Sequence, residues 1–171
     1  VTALCIALDT IHLRDGRTCD ICIHDADLVT FRCHQICQGS CNEGFIRVAV
    51  SAFLTQLNPT LEEVADVKTA VSEAVTNCIV HAYEGKKEKI LVSCHIEGHA
   101  LYLEIKDHGC GIPDIKKAME PLFTTKPDEE RSGMGFAFME AFMDDVRVES
   151  EPGHGTTVFM RKEIGWSRPL H

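Results

Sequence analysis

No stretch of the sequence approaches the roughly 20 consecutive apolar residues that a membrane-spanning helix requires. Basic residues are also few, because 17 Lys and Arg stand against 26 Asp and Glu, leaving a formal net charge of -9. Nucleic-acid binding depends largely on clustered Lys and Arg, so this balance argues against it. At 171 residues the chain has the size of one domain. We therefore expect a cytoplasmic protein whose partners are proteins or small molecules, not nucleic acid or membranes.

The usual signatures of nucleotide chemistry are missing as well. The sequence contains no GxxxxGK[ST] phosphate loop, no GxGxxG segment running into a helix, and no HRD or DFG segment of an ordinary protein kinase. Any use of ATP would therefore need a different fold.

Cysteine is not missing, but it is concentrated at one end. Six of the nine cysteines fall in the first 41 residues: Cys5, Cys19, Cys22, Cys33, Cys37 and Cys41. A secreted disulfide scaffold would be shorter and would spread its cysteines through the fold. The CxxC pair, Cys19 and Cys22, could form part of a zinc site, although no second close pair of cysteines supports it. Residues 1–40 show no sustained periodicity and stay unassigned. They are either a genuine extension or the product of a misplaced start or reading-frame error.

Two helices are predicted after this segment. Apolar residues recur at helical spacing from Phe45 to Leu57, and the pattern stops before Pro59. Thr60 and Glu63 then form a capping box, in which each side chain satisfies a free backbone N–H group at the start of a helix. The apolar stripe of this second helix consists of Val64, Val67, Val71, Val75, Cys78 and Ala82.

Alternating residues predict two hairpins, one at 90–96 and 101–105 and another at 146–148 and 157–159. Between them we expect a short helix near 115–119, a polar irregular stretch at 121–132, and a third helix from Gly135. The order helix, helix, hairpin, loop, helix, hairpin predicts an α+β fold. Its mostly antiparallel sheet would carry helices on one face.

Two glycine-rich segments carry groups suited to a ligand. Asp107 ends a predicted strand, and Gly109 and Gly111 would allow a ligand near the backbone while the carboxylate accepts a hydrogen bond from an exocyclic amine. The Ser-Gly-Met-Gly sequence at 132–135 opens a predicted helix, whose N–H groups and dipole favour phosphate. Each segment has an ordinary alternative, a common Asp-x-Gly turn and a flexible loop before a helix.

Glu73 and Asn77 lie one turn apart on the second predicted helix, away from its apolar stripe. An Asn oxygen can bind Mg²⁺ together with phosphate oxygens, and a carboxylate one turn earlier can polarise a hydroxyl. The alternative is a solvated polar face.

Four segments together resemble, in order and approximate spacing, the motifs of the gyrase, Hsp90, histidine kinase and MutL ATPase superfamily. They are Ser72-Glu-Ala-Val-Thr-Asn77, Asp107-His-Gly-Cys-Gly-Ile-Pro113, Ser132-Gly-Met-Gly-Phe136 and Gly155-Thr-Thr157. The resemblance implies the Bergerat fold, a two-layer α/β sandwich, with ATP and Mg²⁺ as ligands. The sequence Pro-Leu-Phe-Thr-Thr-Lys-Pro at 121–127, with its continuation to Phe136, closely resembles the anti-sigma F factors of spore-forming bacteria. This similarity runs from about residue 40 to residue 164.

The resemblance implies a role for each matching residue. Glu73 would be the general base for an acceptor serine, Asn77 would bind Mg²⁺, and Asp107 would read the adenine amine. Arg47, on the first helix, would face a protein partner. The other nucleotide-binding positions implied are Gly109, Gly111, Thr124, Thr125, Lys126, Arg131, Ser132, Gly133, Met134, Gly135 and Thr156. The two basic residues of the lid at 121–135, like Arg47, could instead be solvated surface charges.

The resemblance to this family implies a homodimer. It would bind a sporulation sigma factor when ATP is bound, and it would phosphorylate an anti-anti-sigma factor on serine. The kinase domain would span 41–165, followed by a polar tail at 166–171. The family's short strand before the first helix has a poor counterpart at 33–38, which contains two cysteines and a histidine. Two alternatives remain, a nucleotide-gated sigma-binding module without kinase turnover and a detached catalytic domain of a histidine kinase.

Overall fold

The fold is one antiparallel sheet with helices packed against one of its faces. A computed structural model of the chain describes residues 6–12, 18–25, 28–36, 40–83, 89–120 and 134–165, with side chains from residue 44 onward in these ranges. Its seven strands have the order β1-β2-β3-β4-β5-β7-β6, and every neighbouring pair is antiparallel. The predicted α+β class is confirmed.

The elements in chain order have the following bounds. The strands are β1 (Ile6–His12), β2 (Thr18–Asp25), β3 (Leu28–Ile36), β4 (Lys89–Glu97), β5 (Ala100–Lys106), β6 (Asp145–Glu151) and β7 (Gly155–Glu163). The helices are α1 (Ser40–Leu54), α2 (Leu61–Asn77), α3 (Ile115–Ala118) and α4 (Gly135–Phe142). A 3₁₀ turn (Thr55–Leu57) follows α1, and a π-helical turn (Cys78–Ala82) follows α2.

The core lies between the sheet and the helices. Alternate residues of β4 are buried, as expected for a strand with one face covered. They pack in one cluster with the buried faces of α1 and α2, with Met139 of α4, and with apolar residues of β5 and β7. None of the helices in the described ranges combines the length and apolar content needed to cross a membrane.

The capping box that opens α2 is confirmed. The Glu63 N–H donates to Thr60 Oγ1 at 3.2 Å, and the Thr60 N–H donates to Glu63 Oε2 at 2.7 Å. The second oxygen of the same carboxylate, Glu63 Oε1, accepts a hydrogen bond from the N–H of Gly165 at 2.9 Å. The cap therefore also ties the start of α2 to the chain just beyond β7.

The end of α2 differs from the regular helix predicted to reach Ala82. The Tyr83 N–H donates to the Cys78 carbonyl at 3.2 Å, an i to i−5 hydrogen bond that defines a π-helical turn. The Ala82 carbonyl instead accepts from the N–H of Cys110 at 3.2 Å. The turn thus brings the end of the helix against the glycine-rich segment that follows β5.

Strand β3 corrects the expectation that the stretch before α1 is a poor strand. It pairs with β4 from Val29 opposite Ile96 to Ile36 opposite Lys89, and it pairs with β2 on its other side. The weak strand preference of its cysteine and histidine residues is overridden because backbone partners lie on both sides. Strands β1 and β2 extend the sheet further, in a segment left unassigned by sequence. The side chains of the N-terminal cysteines lie outside the described residues, so the zinc hypothesis stays untested.

Candidate functional site

Asp107 is a buried carboxylate at the end of β5, only 3% exposed. Its Oδ1 accepts hydrogen bonds from the N–H groups of Gly109, at 2.9 Å, and Thr156, at 3.1 Å. The Asp107 N–H in turn donates to the Thr156 carbonyl at 2.9 Å. Burial raises the pKa of the Asp107 carboxyl, and hydrogen bonds from Gly109, Thr156 and the Cys78 side chain oppose that rise only in part. The structure therefore brings Asp107 and Thr156 together, as the resemblance implied.

The two glycines of the turn after Asp107 are required by the protein's own packing. A Cβ atom on Gly109 would overlap the Ala82 carbonyl, and one on Gly111 would overlap the carbonyl of Glu151. Gly111 also has a φ of +71°, which favours glycine. These glycines are predicted from the sequence to allow the close approach of a ligand, and in the structure they allow the close approach of backbone to backbone.

Replacing Gly111 with alanine is expected to lower the free energy of unfolding by roughly 2 to 5 kcal/mol, because backbone strain and overpacking add. Gly98 provides the control, since it has a φ of +59° but no atom within 4 Å of a Cβ. Its alanine variant should lose only about 1 kcal/mol, from strain alone. Urea unfolding of both variants tests this, and equal losses would show that packing at Gly111 does not matter.

Ser150 is a functional neighbour that the sequence did not single out. Its Oγ accepts a hydrogen bond from the Ile112 N–H at 2.7 Å and lies 2.8 Å from Thr156 Oγ1. It also donates to the Gly155 carbonyl at 2.9 Å. Ser150 lies opposite Thr156 in the β6–β7 pairing, so a correct hairpin register would have found it. It holds the Thr156 hydroxyl beside the glycine-rich turn.

Tyr83 supports the same turn from the other side. Its Oη donates to the Lys89 carbonyl at 2.6 Å and accepts from the His108 N–H at 2.7 Å. The ring is buried, so both hydrogen bonds join the π-helical turn to β4 and to the segment after Asp107. No sequence motif identified this residue.

Glu73 and Asn77 of α2 face the start of α4. An ideal Cβ on Gly135 would lie 3.1 Å from Glu73 Oε2 and 3.4 Å from both Asn77 side-chain atoms, Oδ1 and Nδ2. The absence of a side chain at Gly135 thus lets the N-terminal turn of α4 lie close to these two polar side chains. Met134 is the N-cap residue of this helix. The structure brings together four of the predicted residues here: Glu73, Asn77, Met134 and Gly135.

The end of α2 joins this region to the one around Asp107. Asn77 faces Gly135, and the next residue, Cys78, gives a side-chain hydrogen bond to the Asp107 carboxylate. The predicted phosphate and base ends of the site therefore lie side by side. They meet at the end of α2, although the segments are far apart in sequence.

Arg47 and Glu73 share a groove between α1 and α2. Its other lining residues are Ala65, Lys68, Thr69 and Ser72, and its volume is about 490 Å³. The lining of the groove therefore contains two basic residues and Glu73. Lys68 was not among the residues predicted from the sequence.

Six of the predicted nucleotide-binding residues lie outside the described residues: Thr124, Thr125, Lys126, Arg131, Ser132 and Gly133. Their roles remain predictions. Where side chains are described, no group of three or more His, Cys, Asp or Glu residues could hold a metal ion.

Comparison with known proteins identifies the family of the chain. Residues 42–162 match the family model of the histidine kinase-like ATPase domain. The chain is 58% identical over 124 residues to the anti-sigma F factor of Thermoanaerobacter sp. (strain X514), covering 72% of this chain and 87% of the relative. It is 52% identical over 130 residues to the anti-sigma F factor of Bacillus subtilis (strain 168), covering 75% and 89%.

Solved structures support the fold. The catalytic domain of the histidine kinase ThkA aligns with a TM-score of 0.50 at 15% identity, over 77% of this chain and 95% of that one. Full-length ShkA in complex with AMPPNP aligns with a TM-score of 0.50 at 18% identity, over 80% of this chain and 33% of that one. The predicted Bergerat architecture is confirmed. With a histidine kinase-like ATPase domain and curated relatives above 50% identity, the chain belongs to the anti-sigma F factor family.

Proposed function

We propose that this protein is an anti-sigma factor that holds a sporulation sigma factor of the sigma F type when ATP is bound, and a kinase that phosphorylates the anti-anti-sigma factor on serine. One observation carries the proposal: Glu73 lines the groove that contains Arg47, and its Oε2 also faces Gly135 at the start of α4. A protein segment in the groove and a nucleotide phosphate at α4 would therefore meet at this carboxylate. The proposed place of action is the cytoplasm, where a bacterial sigma factor meets RNA polymerase.

The base of ATP would bind at Asp107. Its Oδ1 is occupied by two backbone N–H groups, so the adenine amine would donate to the other carboxylate oxygen. Thr156, held by Ser150, and the turn at Gly109 and Gly111 would line the same pocket. The carboxylate suits this role because the fold already keeps it buried and orients it with hydrogen bonds.

The phosphates would lie between α2 and α4. The N-terminal turn of α4, at Met134 and Gly135, offers N–H groups and the positive end of a short helix dipole. Asn77 would bind Mg²⁺ through its side-chain oxygen, and the ion would neutralise charge on the phosphates. The lid residues would complete the phosphate site from above: Thr124, Thr125, Lys126, Arg131, Ser132 and Gly133.

In the proposed reaction, Glu73 accepts the proton of the acceptor serine hydroxyl. The serine oxygen forms a bond to the γ-phosphorus as the bond to the ADP oxygen breaks, and ADP leaves. Arg47 and Lys68 would position the acceptor protein, since both line the groove beside Glu73. Phosphoryl transfer depends mainly on such positioning and on charge neutralisation.

The direct test uses the purified protein with γ-labelled Mg-ATP and the candidate anti-anti-sigma protein. We expect label on a serine of that protein, and a complex with the sigma factor that requires ATP. Tight ATP binding without transfer would instead favour a nucleotide-gated sigma-binding module. Label on histidine would favour a detached histidine kinase domain. Light scattering of the same sample measures the proposed homodimer.

A further inference from the structure

Lys162 of β7 is a buried cation that connects three elements at the end of the helix pair opposite to Gly135. It is 9% exposed, and its Nζ lies 3.0 Å from Asp66 Oδ2 on α2. The same ammonium donates to the carbonyl of Phe142, the last residue of α4, at 2.6 Å. This hydrogen bond is notable because the last turn of α4, which the structure describes in full, contains no basic residue. Lys162 supplies from β7 the positive charge that a helix C-terminus favours.

The position of Asp66 on α2 relates this pair to the proposed phosphate site. Asp66 precedes Glu73 by seven residues and Asn77 by eleven, which places all three on one face of α2. Phe142 follows Gly135 by the same seven residues on α4, a separation of about 10 Å along either helix. The two helices are therefore in contact at two points that lie seven residues apart on each. At one point Lys162 links Phe142 to Asp66, and at the other Gly135 lies near Glu73.

Apolar packing and the segment after α4 also contribute to the position of this helix. The helix has eight residues, with Met139 fully buried and Phe136 packed against the core, and the Asp144 N–H donates to the Arg161 carbonyl at 2.9 Å. The Lys162 ammonium adds a charged hydrogen-bond link between the end of α4 and α2, and the geometry of such a link is more fixed than that of apolar packing. Because a short helix moves as a unit, a shift at Phe142 would move Gly135 by a similar distance.

We propose that the Lys162–Asp66 pair is a positioning device that holds the first turn of α4 at the correct distance from Glu73 and Asn77. It would thereby control ATP affinity and phosphoryl transfer without contacting either. This inference rests on the proposed Mg-ATP site between α2 and α4. Lys162 and Asp66 are positioning residues, because the nucleotide would bind at the other end of the helix pair, near Glu73 and Gly135.

The test compares kcat, KM for ATP and the melting temperature in the intact protein. Lys162→Met keeps an unbranched apolar side chain, one atom shorter than lysine, but removes the charge and both hydrogen bonds. We expect it to lower kcat/KM by about 10-fold or more in the folded protein, well below its melting temperature. Asp66→Asn should act in the same direction but more weakly, because the amide oxygen can still accept from Lys162. The double variant should lose less than the product of the two single effects.

Ile96→Ala is the matched control, a truncation of a buried residue on β4 that lowers stability away from α4. It should reduce the melting temperature while kcat and KM stay at wild-type values. Lys162→Arg should recover part of the loss, because the guanidinium can still donate to both partners. If Lys162→Met does not fold, Asp66→Asn and Lys162→Arg provide the same comparison.

The result that overturns the proposal is a lower melting temperature with unchanged kcat and KM in the Lys162 and Asp66 variants, as in the control. That outcome leaves the proposed function intact, since the wild-type protein would still bind ATP and transfer phosphate. Failure of the wild-type protein to bind ATP would overturn both proposals, so the two failures can be told apart.

Discussion

Glu73→Ala is expected to lower phosphorylation of the acceptor serine by roughly 10²- to 10⁴-fold, the usual contribution of a general base, while ATP binding persists. The carboxylate lines the groove beside Arg47 and faces Gly135, so its loss leaves no base between the acceptor and the phosphate site. Single-turnover transfer from γ-labelled ATP measures the chemical step, and equilibrium titration measures nucleotide affinity.

Glu62→Ala is the control for this experiment. Glu62 lies in the exposed first turn of α2, eleven residues before Glu73 and about 16 Å away along the helix. It should transfer phosphate at the wild-type rate. Loss of ATP affinity in Glu73→Ala, in place of a loss of transfer, would reassign Glu73 to holding the nucleotide or the fold. Unchanged transfer would support a binding module that does not use this carboxylate.

Asp107→Asn is expected to weaken ATP binding by roughly 10²- to 10³-fold, because an acceptor of a charged hydrogen bond is lost and a buried donor is left unpaired. The Gly109 and Thr156 N–H groups require an oxygen at the Oδ1 position. The amide group of asparagine would therefore face the adenine amine, and two donors would oppose each other. Asp114→Asn is the control, since Asp114 caps α3 and asparagine caps equally well.

Although Asp107→Asn should weaken ATP binding, we expect it not to lower the free energy of unfolding at neutral pH. The folded protein raises the pKa of Asp107 above its usual value of 3.8, chiefly through burial, so ionisation of this group opposes folding. The stabilisation that the Asp107 carboxyl provides is complete below pH 3.8, where the group is protonated. This stabilisation is lost as the pH rises through the raised pKa of the folded protein. The asparagine variant should thus be at least as stable as the wild type at neutral pH, with no such advantage in acid. Denaturant unfolding at neutral pH and below pH 3.8 measures this difference. A large loss in the free energy of unfolding of the asparagine variant at neutral pH would contradict the prediction.

The elements with strong local patterns could be predicted from the sequence. The apolar stripe of α2, its capping box and the two hairpins all follow from period and cap chemistry, which are local properties. Strand β3 was not predicted, because its second half contains cysteine and histidine and the sequence alone does not show that it lies between β2 and β4. The π-helical turn was also missed, since one additional residue in a helical turn leaves almost no trace in the apolar periodicity.

The site itself could be predicted in part. Asp107 and Thr156 were linked by resemblance, but 49 residues separate them, and only the pairing of β5 with β7 explains why they meet. Tyr83 and Lys162 act through hydrogen bonds to distant segments, so no local pattern marks them. Ser150 lies opposite Thr156 in one hairpin, so its role required the exact register of that hairpin. The glycines after Asp107 were found for a different reason from the one that requires them.

The π-helical turn after Asn77 also limits how this part of the chain can change in length. A deletion of one residue between Cys78 and Ala82 would let the turn relax into an ordinary α-helix. The lost residue and the tighter α-helical turn would nearly cancel, so Tyr83 would keep about its present direction relative to Asn77. Loss of a second residue would instead rotate Tyr83 by about 100° and break its hydrogen bond with the His108 N–H. Alignments of relatives that share this site should therefore tolerate a gap of one residue in the turn, but not a gap of two.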